Sequence, residues 1–179
     1  MNDRSVFHLI SDVTHKEGVP CVLIGGFAVN YYKVTRQTAD VDFLIMKQDF
    51  DKILKSLESA GYQQTLSQDI FVKLESKRIS LLDVDFMFID QETLNKILKD
   101  GKEIKIAGQK FIVPSLHHLI ALKLHSIKHN YKIRFVKDFP DIVNLIRNNK
   151  VNIQGMELKQ LCLKYGTKDI YQQLVEILK

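Results

Sequence analysis

Cysteine is scarce: the 179 residues hold two, Cys21 and Cys162. They lie far apart and match no zinc, redox or disulfide spacing. Cys21 sits in an apolar stretch and reads as a small buried hydrophobe. Nothing in this usage calls for an oxidising compartment, so a cytoplasmic protein is expected. Long apolar runs are also missing. None approaches the roughly 18–20 residues of a membrane span, so no membrane association is expected. The opening "MNDRSVFHLI" carries Asp3 early and has no extended apolar core, unlike a signal peptide. Internal repeats, linkers and low-complexity tracts are absent as well.

What is present is an ordinary globular composition, with 45% hydrophobic and 26% charged residues. A chain of this length can bury a core without staples. The net charge is +5, with a pI near 9.1. That balance suits a polyanion, either nucleotide phosphates or nucleic acid, and an excess of lysine is equally a solubility device.

Residues 4–16 place Val6, Phe7, Ile10 and Val13 at helical spacing, and Gly18 and Pro20 end the run. "CVLIG" (21–25) reads as a buried strand. After Gly25-Gly26, "FAVNYY" opens a helix. "ADVDFLIM" (39–46) is a strand, and "QDFDKILKSLESAG" is a helix stopped by Gly61. "DIFVKLES" (69–76) and "ISLLDVDFMFI" (79–89) read as a hairpin joined by "SKR". Asp90 caps "QETLNKILK", and "EIKIAGQKFIV" (103–113) turns at Ala107-Gly108. Helices are expected at 115–130, 138–148, 156–164 and 168–178. Strands come first and helices gather at the end. The expected class is therefore α+β, with a sheet domain over 1–113 and a helical region over 114–179.

Chemistry concentrates in two acidic pairs. Strand side chains alternate, so Asp40 and Asp42 share one face, and so do Asp83 and Asp85. Standing alone, either pair reads as the exposed face of an edge strand. If the two strands are neighbours, the carboxylates converge, and their mutual repulsion calls for a cation. Mg²⁺ prefers one or two carboxylates together with substrate phosphates. The Gly25-Gly26 pair lets the backbone turn sharply and approach a ligand, and the helix start that follows offers N–H groups to an anion. The two halves of residues 22–45 thus bracket a nucleoside triphosphate.

Gly25-Gly26, then Asp40-Val41-Asp42, then Asp85 on a later strand resembles the nucleotidyltransferase superfamily with the polymerase-β-type fold. "GGFAVNYY…RQTADVDFLI", with Arg36, Thr38, Asp40 and Asp42, is similar to AbiEii-type and related small bacterial nucleotidyltransferases. So are "PSLHHLIALKLHS" and "RFVKDFPDI" downstream. The resemblance covers roughly residues 20–146. Here the 13 residues between Gly26 and Asp40 exceed the usual spacing. The resemblance implies a twisted mixed sheet flanked by helices and two divalent metal ions, Mg²⁺ with Mn²⁺ as a substitute. It further implies transfer of a nucleoside monophosphate from an NTP such as ATP, with pyrophosphate released.

Asp40, Asp42 and Asp85 are the expected catalytic and metal-binding residues. Asp85 is preferred because "VDFMFI" parallels "VDFLI", and Asp83 stays an alternative. Gly25, Gly26, Arg36, Thr38 and Lys123 are the expected nucleotide-binding set. Lys123 falls amid Leu119, Ile120, Leu124 and Ile127 on a helical wheel, where a lysine is rarely buried unless paired. It reaches toward phosphate or snorkels to water. His125 and His129 are four apart but lack a third ligand, so a solvated face is the better reading. Asp138, Pro140 and Asp141 read as a helix start, with Arg134 and Lys137 ahead of it facing either solvent or phosphates.

The acceptor stays open between tRNA or other RNA, a protein and a small molecule. No RNA-binding module stands out. "HNYKIRF" (129–135) is the best basic stretch with interleaved aromatics. A catalytically silent binding partner, such as an antitoxin paired with another protein, is the competing expectation.

Overall fold

The computed structural model describes residues 5–179. The chain forms two compact units, one from the residues up to Ala28 with Gln37–Pro114, the other from Val29–Arg36 with Ser115–Lys179.

The first unit opens with helix α1 (Val6–Lys16), which buries Val6, Phe7, Ile10 and Val13 as its spacing predicts. The expected start at residue 4 lies outside the described residues. Strand β1 (Val22–Leu23) is shorter than expected, because Gly25 already begins helix α2 (Gly25–Tyr31). There follow β2 (Asp40–Ile45), α3 (Lys47–Ser59), β3 (Tyr62–Gln68), β4 (Phe71–Ser76), β5 (Asp83–Phe88), α4 (Gln91–Asp100), β6 (Lys102–Ile106) and β7 (Gln109–Val113).

Five strands make a mixed sheet in the order β1-β2-β5-β4-β3, with β2 and β5 parallel and the other pairs antiparallel. This is an α+β sheet flanked by helices, as the order of elements predicts. Phe43, Phe50 and Phe86 lie at its core with Ile53 and Leu57 from α3. β6 and β7 form a separate hairpin, turned at Ala107 and Gly108 with φ of 50° and 78°.

Two details of the sheet differ from expectation. β4 and β5 pair as predicted, but β5 starts at Asp83, so residues 77–82 form a longer link than "SKR". β3 is an additional edge strand in which only Tyr62 is buried. Its sequence, "YQQTLSQ", carries no apolar alternation, and backbone pairing with β4 defines it.

The second unit is built from α5 (Leu116–His129), α6 (Tyr131–Asn148), α7 (Met156–Tyr165) and α8 (Lys168–Leu178). Ser115 and Thr167 cap α5 and α8 by accepting from the backbone N–H of His118 and Ile170. The core holds Leu119, Ile120, Leu124, Ile127, Ile142, Leu145, Leu158, Cys162 and Leu174. The helix expected at 138–148 starts at Tyr131 instead and runs through Pro140. Pro140 is exposed, as is Val136, whose carbonyl loses its usual donor to the proline ring, so water can replace that bond. Asp138 is therefore not a cap. It lies within the helix, and its carboxylate is drawn inward by cations. No helix among the described residues is long and apolar enough to cross a membrane.

Candidate active site

β2 and β5 run side by side with Asp40 opposite Asp83 and Asp42 opposite Asp85. Val41, Phe43, Val84 and Phe86 are all fully buried on the other face. The rings of Phe43 and Phe86 stack at 5.8 Å. Burial of that apolar face fixes the pleat, and the pleat forces the aspartates onto the opposite face. There, carboxylate oxygens of Asp40, Asp42 and Asp85 lie within 4.8 Å of one another. Asp83 shares the face but turns away. Its Oδ1 accepts from the Ser76 N–H at 3.0 Å, and its Oδ2 lies 3.9 Å from Lys73 Nζ. The geometry thus separates the two acids that the sequence left as alternatives, and Asp85 completes the triad.

The glycine pair serves this cluster. Gly25 has φ of +62°, and a Cβ built there would stand 1.7 Å from Asp42 Oδ2. A Cβ at Gly26 would stand 2.7 Å from Thr38 Cβ. The close approach expected for a phosphate is here made by the chain's own site residues. Ile24 N–H donates to the Asp42 carbonyl at 2.9 Å and ties the bend to β2. Thr38 Oγ1 donates toward the Asp40 carbonyl at 2.9 Å and its carboxylate at 3.0 Å, which orients Asp40.

Gly25→Ala is expected to cost more than about 2 kcal/mol, since the left-handed conformation alone costs roughly 1–2 kcal/mol for an L-residue. Asp42 must also swing away, so the variant loses transfer even where folding survives. Thermal unfolding alongside turnover checks both effects, and native-like values in both would contradict this geometry.

Lys73, which the sequence alone did not single out, sits on β4 directly across from Asp85. Its Nζ lies 3.3 Å from Glu75 Oε1. Its pKa is raised, first by the hydrogen bond to Glu75 and then by the charges of Glu75, Asp83 and Asp85. Only the register of β4 against β5 brings this cation beside the acids, and no local motif announces that.

Lys123 and Arg36, both expected to bind nucleotide, take part in a charge network within the helical unit. Buried Lys123 donates to Asp138 at 2.8 Å and to Asp141 at 2.7 Å. Arg36 Nη1 pairs with the same Asp141 oxygen. Arg134 Nε lies 2.9 Å from Asp138 Oδ2 and donates to Ser126 Oγ at 2.7 Å. Lys123 is thus a paired lysine and not a snorkelling one. The same unit anchors the segment before the Asp pair. The Asn30 side chain bonds the Arg36 backbone at both N–H and carbonyl, and Asn148 and Asn149 donate to the carbonyls of Lys33 and Tyr32. The rings of His125 and His129 lie 4.2 Å apart, tilted by 48°, on an exposed face. The pKa of His125 is lowered, first by partial burial and then by its cationic neighbours.

Among the described residues, Asp40, Asp42 and Asp85 are the group able to hold a metal ion. An all-carboxylate oxygen set suits a hard divalent cation and not a soft one. The bend at Gly25, which a methyl group would fill, makes room for the Asp42 carboxylate. The residues present therefore fit a divalent ion.

A family model described as "Uncharacterised nucleotidyltransferase" matches residues 7–179. No curated protein matches the chain by sequence. Among solved structures, the antibiotic-resistance factor ANT(2'')-Ia superposes with a TM-score of 0.63 at 15% identity, over 94% of this chain and 92% of that one. An antigenic nucleotidyltransferase-like protein from Paracoccidioides brasiliensis gives a TM-score of 0.56 at 20% identity, over 94% and 90% of the two chains. The lincomycin-bound lincosamide antibiotic adenylyltransferase LnuA gives 0.53 at 18%, over 76% and 91%. At these identities the likeness is one of fold.

Proposed function

This chain belongs to the uncharacterised nucleotidyltransferase family, and on that premise we propose that Asp40, Asp42 and Asp85 carry the transfer of a nucleoside monophosphate from an NTP to an acceptor hydroxyl. The observation that carries this reading is the convergence of three carboxylates, from two parallel neighbouring strands, within 4.8 Å. Three like charges so close repel one another and oppose folding unless a cation joins them.

Mg²⁺, as two ions with Mn²⁺ as a substitute, is the proposed partner of these acids. When bound, it neutralises charge on the triphosphate and makes the acceptor hydroxyl more acidic. Asp40 and Asp42 fix the triphosphate end of the site, with Thr38 holding Asp40 in register. Asp85 takes the acceptor proton as the acceptor oxygen forms its bond to the α-phosphorus. The α–β bridging P–O bond breaks, and its electron pair leaves with pyrophosphate. The chain's main contribution is positioning, the largest demand in phosphoryl chemistry. Gly25 and Gly26 admit Asp42 and Thr38 to the site. Arg36 is proposed for phosphate, since it is the more exposed partner of its ion pair with Asp141.

The test is incubation of the chain with each α-labelled NTP and Mg²⁺ in cell extract. Label transferred to RNA, protein or a small molecule, and lost in the Asp42→Asn variant, supports the reading. Absence of label with every NTP overturns it.

A further inference from the structure

The end of α5 and the first turns of α6 present a surface that the transfer chemistry does not use. From His125 to Lys137 the chain holds no acidic residue, and it carries Lys128, Lys132, Arg134 and Lys137. Arg134 is committed to Asp138. Among the described residues, no carboxylate pairs with Lys128, Lys132 or Lys137, so their charge faces outward.

Aromatic residues are threaded through this basic stretch at helical spacing. Tyr131 stacks on Phe135 at 4.6 Å and 27°, and Phe135 stacks on Phe139 at 4.6 Å and 21°. The inner ring is buried, whereas the outermost, Tyr131, is 50% exposed. Farther round the same helix, Ile133 and Val136 are 70% and 78% exposed.

The charge decides what partner this surface fits. Cores of protein–protein interfaces are depleted in lysine, so three outward lysines disfavour a protein. A polyphosphate backbone takes up such charge. A column of near-parallel rings ending in an exposed ring offers a face on which a base can continue the stack. That requires unstacked bases, which RNA offers in its loops and ends.

We propose that Lys128, Tyr131 and Lys132, with Val136 alongside, form a binding surface for single-stranded RNA. It follows that RNA is the class of acceptor delivered to the enzyme. This last step rests on the transfer reading above, whereas the binding itself does not.

The experiment titrates the full chain against a short fluorescein-labelled single-stranded RNA of mixed sequence, by anisotropy at several salt concentrations. Saturable binding is expected, weakening as salt rises. Removing Lys128 and Lys132 should flatten the log–log salt dependence by roughly 0.7 per lysine lost. Tyr131→Ala should weaken binding about 10-fold while leaving the salt slope unchanged. Asp42→Asn should bind like wild type while losing transfer, whereas wild type that binds RNA but transfers no label refutes the enzymatic reading alone. No saturable binding, or variants equal to wild type, overturns the proposal. So does duplex RNA that competes as well as the single strand. Self-association abolished by Ile133→Asp, without RNA binding by wild type, identifies a protein interface instead and equally overturns it.

Discussion

Asp42→Asn should lower nucleotidyl transfer by more than about 100-fold, a loss greater than that usually seen when only a residue supporting a metal ligand is removed. Asp42 is the centre of the cluster. It pairs in register with Asp85, shares its face with Asp40, and lies against the Gly25 bend. Asparagine keeps the shape and removes the charge, so the fold has no reason to fail. Without a cation, the variant should be as stable as wild type or more so, by about 1 kcal/mol, because one of three mutually repelling charges is gone. Adding Mg²⁺ should reverse the order. An ion at 100 times its dissociation constant stabilises wild type by about 2.7 kcal/mol, and the variant by much less. Unfolding curves with and without Mg²⁺ test this, and equal stabilisation of both proteins would refute the assignment.

Lys123→Met should have the largest effect on stability, a loss of about 3–5 kcal/mol. The lysine joins Asp138, fully buried, to Asp141, nearly so. Without it, both carboxylates remain in a poorly solvating interior. Arg134 and Arg36 still face them, which places the expected loss toward the lower end. Lys123→Met with Asp138→Asn removes one charge of each sign and should recover part of the loss. The experiment also discriminates between two roles for Lys123. A residue that only binds nucleotide would raise KM for the NTP and leave denaturant unfolding unchanged. A residue that holds α5 to α6 would shift unfolding first.

The acidic site was legible in the sequence because strand geometry is simple. Alternation places Asp40 with Asp42 and Asp83 with Asp85, and the apolar residues between them decide which face is buried. Choosing between Asp83 and Asp85 required coordinates, because the choice depends on Ser76 and Lys73 across the sheet. Lys73 itself was invisible, since β4 meets β5 through a register that no local pattern specifies. The edge strand β3 escaped for a related reason. Its side chains are mostly exposed, and its identity lies in backbone pairing.

The start of α6 was misread because local signals and tertiary ones conflict there. An aspartate two residues before a proline reads as a helix cap, yet Asp138 answers to Lys123 and Arg134. The proline is carried on the solvent side, where the missing hydrogen bond costs least. Lys123 itself was half legible. Its place in an apolar stripe announced a paired lysine, but the partners lay 15 and 18 residues downstream on another helix.

The most direct test of the metal-site assignment is anomalous diffraction from crystals of the full chain soaked in Mn²⁺. The account predicts an anomalous peak between Asp40, Asp42 and Asp85, with carboxylate oxygens at about 2.0–2.2 Å, close to the Mg²⁺ range. A peak elsewhere with this cluster unoccupied, or no peak at saturating Mn²⁺, would contradict it.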